Sequence, residues 1–389
     1  MNVGNIKRSK PRFKVTYLSR FNLQSYGDDN LYPQRMEQLL ANSATGGLCY
    51  DRYATFIEGN GLYDRQFAEF ICNRYGESVD DIFMKIAQDV AKYHGFALHI
   101  NYDASFAPCD VTHVPFENCR LEEEDSNGYV SYIAVHPDWS QSKSVNGRTI
   151  AIDKSTIKKY YPYNPIPSVV AAQVAADGGF DRYRGQLLWV SMDGRNVYPK
   201  PIYDKIVTCL STDEGLDNIK YRNTRNNFMP SGMIVRKRGN PLGIDANGNE
   251  IYGDDDNFGS VLSEFQGDEN ACAIMDVTAQ QSEDVPTFVN IEGTNFDSKF
   301  VNTEESTIER IYSAFGQEAW YCIRRGKLGF SGDVVEDATA VYNTFVTKER
   351  RFISRYLKRV FERWRGANQS GNYDVEPLIY IQNAAPTNV

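Results

Sequence analysis

The sequence predicts an α+β protein, in which helices lead into a mostly antiparallel sheet and a second group of helices encloses a strand-bearing insertion. Three observations support this fold class. Residues 78–94 carry apolar side chains at helical spacing, residues 96–152 change to a period of two, and residues 201–364 contain three further helical patterns. The length of 389 residues allows about two to three compact units, each with its own core.

The N-terminal segment predicts a strand, a turn and a helix in that order. The strand pattern covers residues 12–18, and the turn-rich stretch covers residues 25–30. A helix is expected over residues 43–57, because apolar side chains recur there at near-helical spacing and Gly59 with Gly61 supplies a stop.

The following segment predicts a strong helix and then the sheet. Residues 78–94 place their apolar side chains on one stripe, and Gly95 is expected to end the helix. Alternating apolar residues run through 129–135, directly after the turn-forming residues 125–128. This half of the chain is therefore expected to be α+β.

The second half opens with a helix whose composition changes along its length. It is expected over residues 201–227, with a proline near its first position. Its apolar face ends at Leu216, and the tract 217–227 has few apolar groups. A helix of that composition cannot be stabilised by burial within its own chain, so it needs either a neighbouring chain or solvent on most of its sides, and the pattern indicates assembly.

Two further helices complete the predicted fold. Residues 299–315 place apolar side chains at i, i+3, i+4 and i+7. Residues 333–364 are expected to form a single helix, with Asp333 and Glu336 as a capping-box-like start. At 1.5 Å per residue it would extend about 45–48 Å.

Charge is distributed very unevenly along the sequence. Residues 239–298 contain thirteen acidic side chains and no Lys or Arg, whereas residues 348–365 contain eight basic and two acidic ones. The formal net charge of −9 argues against coating nucleic acid or an anionic membrane with the whole surface. The segregation predicts either two surfaces with opposite roles or two solvated faces.

The composition excludes several classes of protein. The seven cysteines are scattered and odd in number, which predicts reduced structural thiols. The sequence contains no run of about eighteen apolar residues, so no membrane span is predicted. The four histidines lack metal-binding spacing. No glycine-rich phosphate loop is present, so the chain itself is not expected to hydrolyse nucleotide. No catalytic residue, cofactor or metal site is predicted.

Two tetrapeptides match a polymerase motif. Tyr26-Gly-Asp-Asp29 and Tyr252-Gly-Asp-Asp255 are identical to the YGDD turn in which viral RNA polymerases hold metal ions with paired carboxylates. Gly and Asp are also the usual residues of ordinary turns, which is the favoured interpretation. A metal-dependent nucleotidyltransferase remains the alternative from the enzyme class.

The order of the segments resembles that of the portal proteins of tailed bacteriophages. Four groups of residues carry the resemblance, over about residues 20–365. They are Tyr26-Gly-Asp-Asp-Asn-Leu-Tyr-Pro33 with Asn42-Ser-Ala-Thr45 and Phe56-Ile-Glu-Gly-Asn-Gly61; Tyr198-Pro-Lys-Pro201; Asn227-Phe-Met-Pro-Ser-Gly-Met-Ile234; and Ile308-Glu-Arg-Ile-Tyr-Ser-Ala-Phe315 with Gly329-Phe-Ser-Gly332 and the helix to Trp364.

The resemblance implies a portal-like α+β architecture with long stem helices, a small α/β clip insertion and little or no crown. The implied parts are a mixed α/β wing (1–200), a first stem helix (201–228), the clip (229–296), a second stem helix (297–315), a tunnel-loop region (316–334), a long wing helix (335–365) and a C-terminal tail or short strand (366–389). Gly316-Gln-Glu-Ala319 stands where the family often has Pro-Pro.

The function implied by the resemblance is that of a ring, usually of twelve subunits, at one capsid vertex. Double-stranded DNA would pass through it during packaging and ejection, without sequence-specific recognition. The implied partners are the terminase large subunit, the major capsid protein and a head-tail adaptor, and no membrane is involved. The protein would reside in the virion, and in the host cytoplasm during assembly. Another structural protein of the head or neck is the alternative.

Three groups of charged residues are candidate sites under this resemblance. The candidate DNA contacts in the tunnel loop are Arg324, Arg325 and Lys327. The candidate inter-subunit contacts in the stem are Arg222 and Arg225. The acidic clip is represented by Asp254, Asp255, Asp256, Asp268 and Glu269, which are expected to repel DNA and to let it slide.

Overall fold

The computed structural model divides the chain into two compact units. The first unit comprises Met1–Ser211 and Ile308–Val389, and the second comprises Thr212–Thr307. The structure describes residues 13–140, 143–145, 148–150, 152–194, 197–226, 232–235, 243–244, 250–251, 287–290, 296–327, 332–364 and 366–379.

The first unit opens with a short hairpin and four helices. The hairpin pairs β1 (Tyr17–Leu18) with β2 (Leu23–Gln24), so the predicted strand at 12–18 is confirmed only at its end. The helices are α1 (Tyr32–Asn42), α2 (Ala44–Glu58), α3 (Arg65–Ala68) and α4 (Val79–Tyr93). Helix α1 was not expected from the sequence, whereas α2 and α4 confirm their predictions within one or two residues.

Helix α4 shows how the local sequence sets its ends. Ser78 and Asp81 form a capping box, in which the Ser78 hydroxyl accepts from the Asp81 amide and the Asp81 carboxylate accepts from the Ser78 amide. The left-handed residue that ends the helix is His94, with φ of 59°, and not Gly95 as predicted. Gly95 instead begins the next strand.

A six-stranded sheet follows. Its strands are β3 (Gly95–Tyr102), β4 (Pro108–Val114), β5 (Cys119–Leu121), β6 (Ile133–Val135), β9 (Lys158–Pro162) and β10 (Gln186–Ser191), in the order β4-β3-β10-β9-β6-β5. A separate hairpin pairs β7 (Lys143–Val145) with β8 (Arg148–Ile150). The predicted strand at 129–135 is present only as β6.

The sheet is mostly antiparallel, as the sequence predicts, with one exception. Strands β9 and β10 are parallel neighbours, and the connection between them contains α5 (Pro167–Asp177). A parallel pair requires such a crossover. Helix α5 was not expected from the sequence, because seven of its eleven residues are Ala or Val, which give no clear helical stripe.

The first unit is completed by helices near the C-terminus of the chain. They are α8 (Glu318–Arg324), α9 (Gly332–Phe345) and α10 (Thr347–Phe361). A continuous core joins the inner faces of α2 and α4, the sheet and α10, with Tyr53, Ile86, Phe96, Leu188 and Leu357 among its members. Burial of this core supplies most of the stabilisation of the unit.

The predicted single helix over residues 333–364 is wrong. It is interrupted at Val346, which caps α10 with φ of −86° and ψ of 3°. The Thr347 hydroxyl donates to the carbonyl oxygen of Asn343 at 2.9 Å, a side-chain contact that competes with the helical ladder. The two resulting helices are each about 22 Å long, and neither has the predicted length.

Two helices cross the boundary between the units. They are α6 (Val207–Asn226), preceded by the 3₁₀ turn Ile202–Ile206, and α7 (Phe296–Ala314). Both confirm helices predicted from the sequence. No helix in the described ranges has the length and apolar content that a membrane span requires.

The second unit contains paired strands between these helices. Strand β11 (Gly232–Val235) pairs with β14 (Thr287–Asn290), and β12 (Gly243–Ile244) pairs with β13 (Glu250–Ile251). Lys220 Nζ on α6 lies 2.5 Å from a Glu304 carboxylate oxygen on α7. The fold is therefore α+β, as predicted.

Candidate nucleic-acid interface

The joint between α7 and α8 positions the candidate basic residues. Gly316 ends α7 with φ of 66°, and the amide of Gln317 donates to the carbonyl oxygen of Tyr312 at 2.9 Å. A Cβ atom on Gly316 would lie 2.7 Å from the ring of Phe345. Both the backbone angle and this close approach therefore favour glycine here.

Gln317 anchors the start of α8 in the core. Its side chain is fully buried, and Nε2 donates to the carbonyl oxygen of Cys49 at 2.8 Å and to the Tyr342 hydroxyl at 2.9 Å. Its Oε1 accepts from Arg52 Nη1 at 2.9 Å. This one amide therefore connects α8 to α2 and α9, and its buried polar atoms are hydrogen-bonded.

Aromatic contacts hold the rest of α8. The Arg52 guanidinium lies 4.8 Å from the ring centre of Trp320, a cation–π distance. Tyr321 packs against Tyr312 of α7, with ring centres 5.6 Å apart. Helix α8 is consequently a short, fixed support, although seven residues alone would not form a stable helix in water.

The three candidate DNA contacts lie at the C-terminal end of this support. Arg324, Arg325 and Lys327 are all exposed. Gly326, with φ of 69°, turns the chain, and the Lys327 amide donates to the carbonyl oxygen of Cys322 at 2.9 Å. Arg324 also reaches the Tyr312 hydroxyl, 3.4 Å from Nη1. The structure thus brings the three cations together within one turn.

This arrangement suits weak contact with a polyanion. Arg and Lys side chains on a fixed backbone can contact phosphates without reading sequence. Part of their placement has a structural reason too, because cations at a helix C-terminus interact favourably with the helix dipole. Residues 328–331, which continue the predicted tunnel loop, lie outside the described residues.

The other two candidate groups lie wholly or partly outside the described structure. Arg222 and Arg225 belong to α6, but their side chains lie outside the described part. The acidic clip residues Asp254, Asp255, Asp256, Asp268 and Glu269 are outside it as well. Both assignments remain predictions.

The first YGDD segment contributes its tyrosine to the core of the fold. Tyr26 is buried, stacks on Tyr198 with ring centres 4.2 Å apart, and donates to the carbonyl oxygen of Pro199 at 2.6 Å. Asp29 forms an ion pair with Arg35. The segment is a turn between β2 and α1, as the turn interpretation predicts. The second YGDD segment lies outside the described residues.

Sequence reasoning missed the residues that support the basic end of α8. The only signal for Gln317 is its position after Gly316, at the end of an amphipathic stripe. Arg52 gives no signal, because its contacts come from residues more than 260 positions away. Long-range contacts of this kind leave no local pattern.

No model of a known protein family matches the chain, and no characterised protein matches it in sequence. Solved structures do resemble it. A chain in the neck of the native gene transfer agent particle, computed with C12 symmetry, is 11% identical with a TM-score of 0.47; the match covers 96% of this chain and 88% of that chain.

Two further solved structures show comparable likeness. A chain in the virion of the native gene transfer agent particle is 12% identical, with a TM-score of 0.46, and the match covers 85% of this chain and 82% of that chain. An HK97-family phage portal protein from Corynebacterium diphtheriae is 10% identical, with a TM-score of 0.37, over 78% and 88% of the two chains. All three TM-scores are below 0.5.

Proposed function

We propose that the chain is the portal subunit of a tailed bacteriophage, which forms a ring at one capsid vertex. The observation that carries this proposal is the separate unit Thr212–Thr307, entered through α6 and left through α7. Within it, residues 239–298 hold thirteen acidic side chains and no basic one. Two helices therefore lead into and out of a strongly acidic insertion. An acidic insertion of this kind suits a channel through which a polyanion moves.

The charge of the insertion has a physical rationale in this role. DNA must slide through a channel, and each neutralised phosphate adds affinity through counterion release. An acidic wall, to which the clip residues Asp254 and Asp268 belong, repels the duplex and keeps retention weak. The basic end of α8 then supplies a few sequence-independent contacts.

The ring itself is supported by the exposed polar part of α6. This helix continues to Asn226 although Asp217, Lys220 and Tyr221 are exposed in the single chain. Neighbouring copies would cover this surface, and Arg222 and Arg225 would contact acidic residues of the adjacent subunit. Such exposed ion pairs would contribute about 0–1 kcal/mol each, so the first unit supplies most of the stability.

The wider role follows from the same proposal. A ring of about twelve copies would be the channel for packaging and ejection of double-stranded DNA, and a separate terminase large subunit would supply the energy. The major capsid protein and a head-tail adaptor would be its other partners in the virion, after assembly in the host cytoplasm. The chain is assigned no reaction of its own.

The experiment is to replace the five named clip acids with Asn or Gln and to measure retention of linear double-stranded DNA by the assembled particle at low salt. The wild type should retain DNA weakly, and the neutralised variant should retain it more strongly. Tight retention by the wild type that disappears on neutralisation would contradict the proposal.

A further inference from the structure

The first unit contains a basic cleft of about 900 Å³. It lies between the loop after β10 and the junction of α9 with α10. Its cations, Lys348, Arg351 and Arg355, are exposed and occur at i, i+3 and i+7 of the chain in α10. Apolar side chains line it as well, namely Met192, Phe345 and Phe352. No acidic side chain lines the cleft in the described part of the chain.

The cations of the cleft are available for binding. Arg355 lies over the rings of Phe352 and Tyr356, at 5.5 and 5.0 Å from their centres, which restricts the conformations of its guanidinium. Lys348 and Arg351 form no ion pair with any residue in the described ranges. Three cations without an ion pair to any described residue, around an apolar floor, favour an anionic partner that also has an apolar group.

The same unit presents such a group elsewhere. Residues 123–129 form an exposed turn, called here the acidic finger, in which Glu123, Glu124 and Asp125 are exposed and Tyr129 is 71% exposed. The finger connects β5 to β6, at the edge of the sheet, whereas the cleft adjoins β10, three positions away in the strand order.

The finger is rigid enough to act as a ligand. The Asp125 carboxylate accepts from the amides of Asn127 and Tyr129, at 2.8 and 2.9 Å, and Glu124 forms a β-bridge with Val130. A preorganised turn loses little conformational entropy on binding. None of the three carboxylates forms an ion pair with a residue in the described part of the chain, so an external cation can pair with them.

We propose that the acidic finger of one copy docks in the basic cleft of the next copy. The inference rests on the proposed ring, and it names the contact that closes it. Two different surfaces on one subunit form a heterologous, head-to-tail interface, and such an interface generates a ring when the rotation closes. Tyr129 would cover Phe345, which is 45% exposed, and the three carboxylates would face the three cations.

A duplex is the other anion that could contact these cations. The concave shape and the apolar floor favour a protein finger, because a DNA backbone offers phosphates but no apolar side chain to cover Phe345 and Phe352. The two partners also respond differently to charge reversal on the finger, which only the protein contact requires.

The test uses the full chain and three variants, with assembly measured by mass photometry and electron microscopy. The cleft variant is K348E/R351E, the finger variant is E123K/E124R, and the third combines both. The matched control is K358E/R359E, which makes the same charge change on the same helix outside the cleft. Unchanged thermal unfolding of each variant confirms folding.

We expect each single-surface variant to raise the protein concentration needed for half-assembly by about tenfold or more, since tenfold corresponds to about 1.4 kcal/mol. The combined variant should recover most of this loss, and the control should assemble like the wild type.

Normal rings from both single-surface variants would overturn the inference and leave the proposed function intact. Loss without recovery in the combined variant would overturn it as well, as would intact rings whose only defect is weaker DNA retention, which would assign the cleft to the duplex. Absence of rings in the wild type would instead refute the proposed function.

Discussion

Gln317 connects three helices through one buried amide. Its hydrogen bonds to Cys49, Tyr342 and Arg52 join α8 to α2 and α9. A buried polar group that loses its partner costs much more than an exposed one. The position of the basic end of α8 therefore depends on a residue that carries no charge itself.

Replacing Gln317 with Ala should lower the free energy of unfolding by about 2–4 kcal/mol, because it creates a cavity and leaves the Cys49 carbonyl and the Arg52 guanidinium without this partner. Urea denaturation measures the change. Gln66→Ala, at an exposed position of α3, is the matched control and should change stability by less than about 0.5 kcal/mol. Equal effects of the two substitutions would show that the buried amide is not an anchor.

His94 gives the fold a dependence on pH. Burial and the nearby Lys348 lower the pKa of His94 to about 4, and its Nε2 has no hydrogen-bond partner among the described residues. Between pH 6.5 and about 4 the unfolded chain binds a proton at this residue that the folded chain does not. The contribution of neutral His94 to the free energy of unfolding is therefore complete above pH 6.5 and is lost as the pH falls towards 4.

The loss from His94 should reach about 3 kcal/mol near pH 4. His94→Asn keeps a residue that tolerates the left-handed backbone and removes the titration. Denaturant unfolding at a series of pH values should give a shallower decline for this variant than for the wild type between pH 6.5 and 4.5. Parallel curves would exclude His94 as a source of the decline.

Local backbone geometry at the ends of α7 and α9 separates each of these helices from the helix that follows it. Helix α7 stops at a glycine with positive φ, and the interruption at Val346 separates α9 from α10. Arg350, four residues after the interruption, is buried. Its guanidinium donates to the carbonyl oxygen of Phe56 and to Oδ1 of Asn343. One of the eight cations in residues 348–365 is therefore structural.

Two glycine substitutions distinguish a required glycine from an incidental one. Gly316→Ala should destabilise the chain by about 1–3 kcal/mol, because of its positive φ and the ring of Phe345. Gly215→Ala, inside α6 with no described atom beyond the nearby helix backbone within 4 Å of the added Cβ, should stabilise it by about 0.5–1 kcal/mol. Thermal and urea unfolding measure both, and a destabilising Gly215→Ala would contradict the assignment.

Periodicity predicted the amphipathic helices α2, α4, α6 and α7, because each has a stripe that faces a core. It failed at α1, α3, α5 and α8, the last of which forms within the predicted tunnel-loop region 316–334, and it joined α9 to α10. The stripe continues through Val346, so apolar spacing alone cannot show that the backbone of this residue departs from helical geometry and separates the two helices. The charged group at Arg324, Arg325 and Lys327 was visible in sequence, but its support by Gln317 and Arg52 was not, since those contacts are long-range.

In the whole molecule, the proposed function gives different roles to two charged surfaces, the exposed basic end of α8 and the acidic insertion of the second unit. In that proposal the basic end would contact the duplex weakly, and the acidic insertion would prevent tight retention of it. The three cations of α8 are exposed, so they are not needed to fold the first unit.

The triple substitution R324A/R325A/K327A should therefore leave assembly unchanged and weaken the retention of DNA. The dependence of log affinity on log salt should become shallower by about one for each lost phosphate contact. The control replaces Lys154, Lys158 and Arg182, which are exposed elsewhere on the first unit, with Ala. Identical salt dependence for the wild type, the variant and the control would remove the DNA role of the three residues.

Electron microscopy of the purified full chain, viewed face-on, shows directly whether the chain forms a ring. Closed rings of about twelve subunits with an axial hole are expected, formed without any other protein. A stable monomer under the same conditions, with a catalytic turnover of its own, would contradict this expectation.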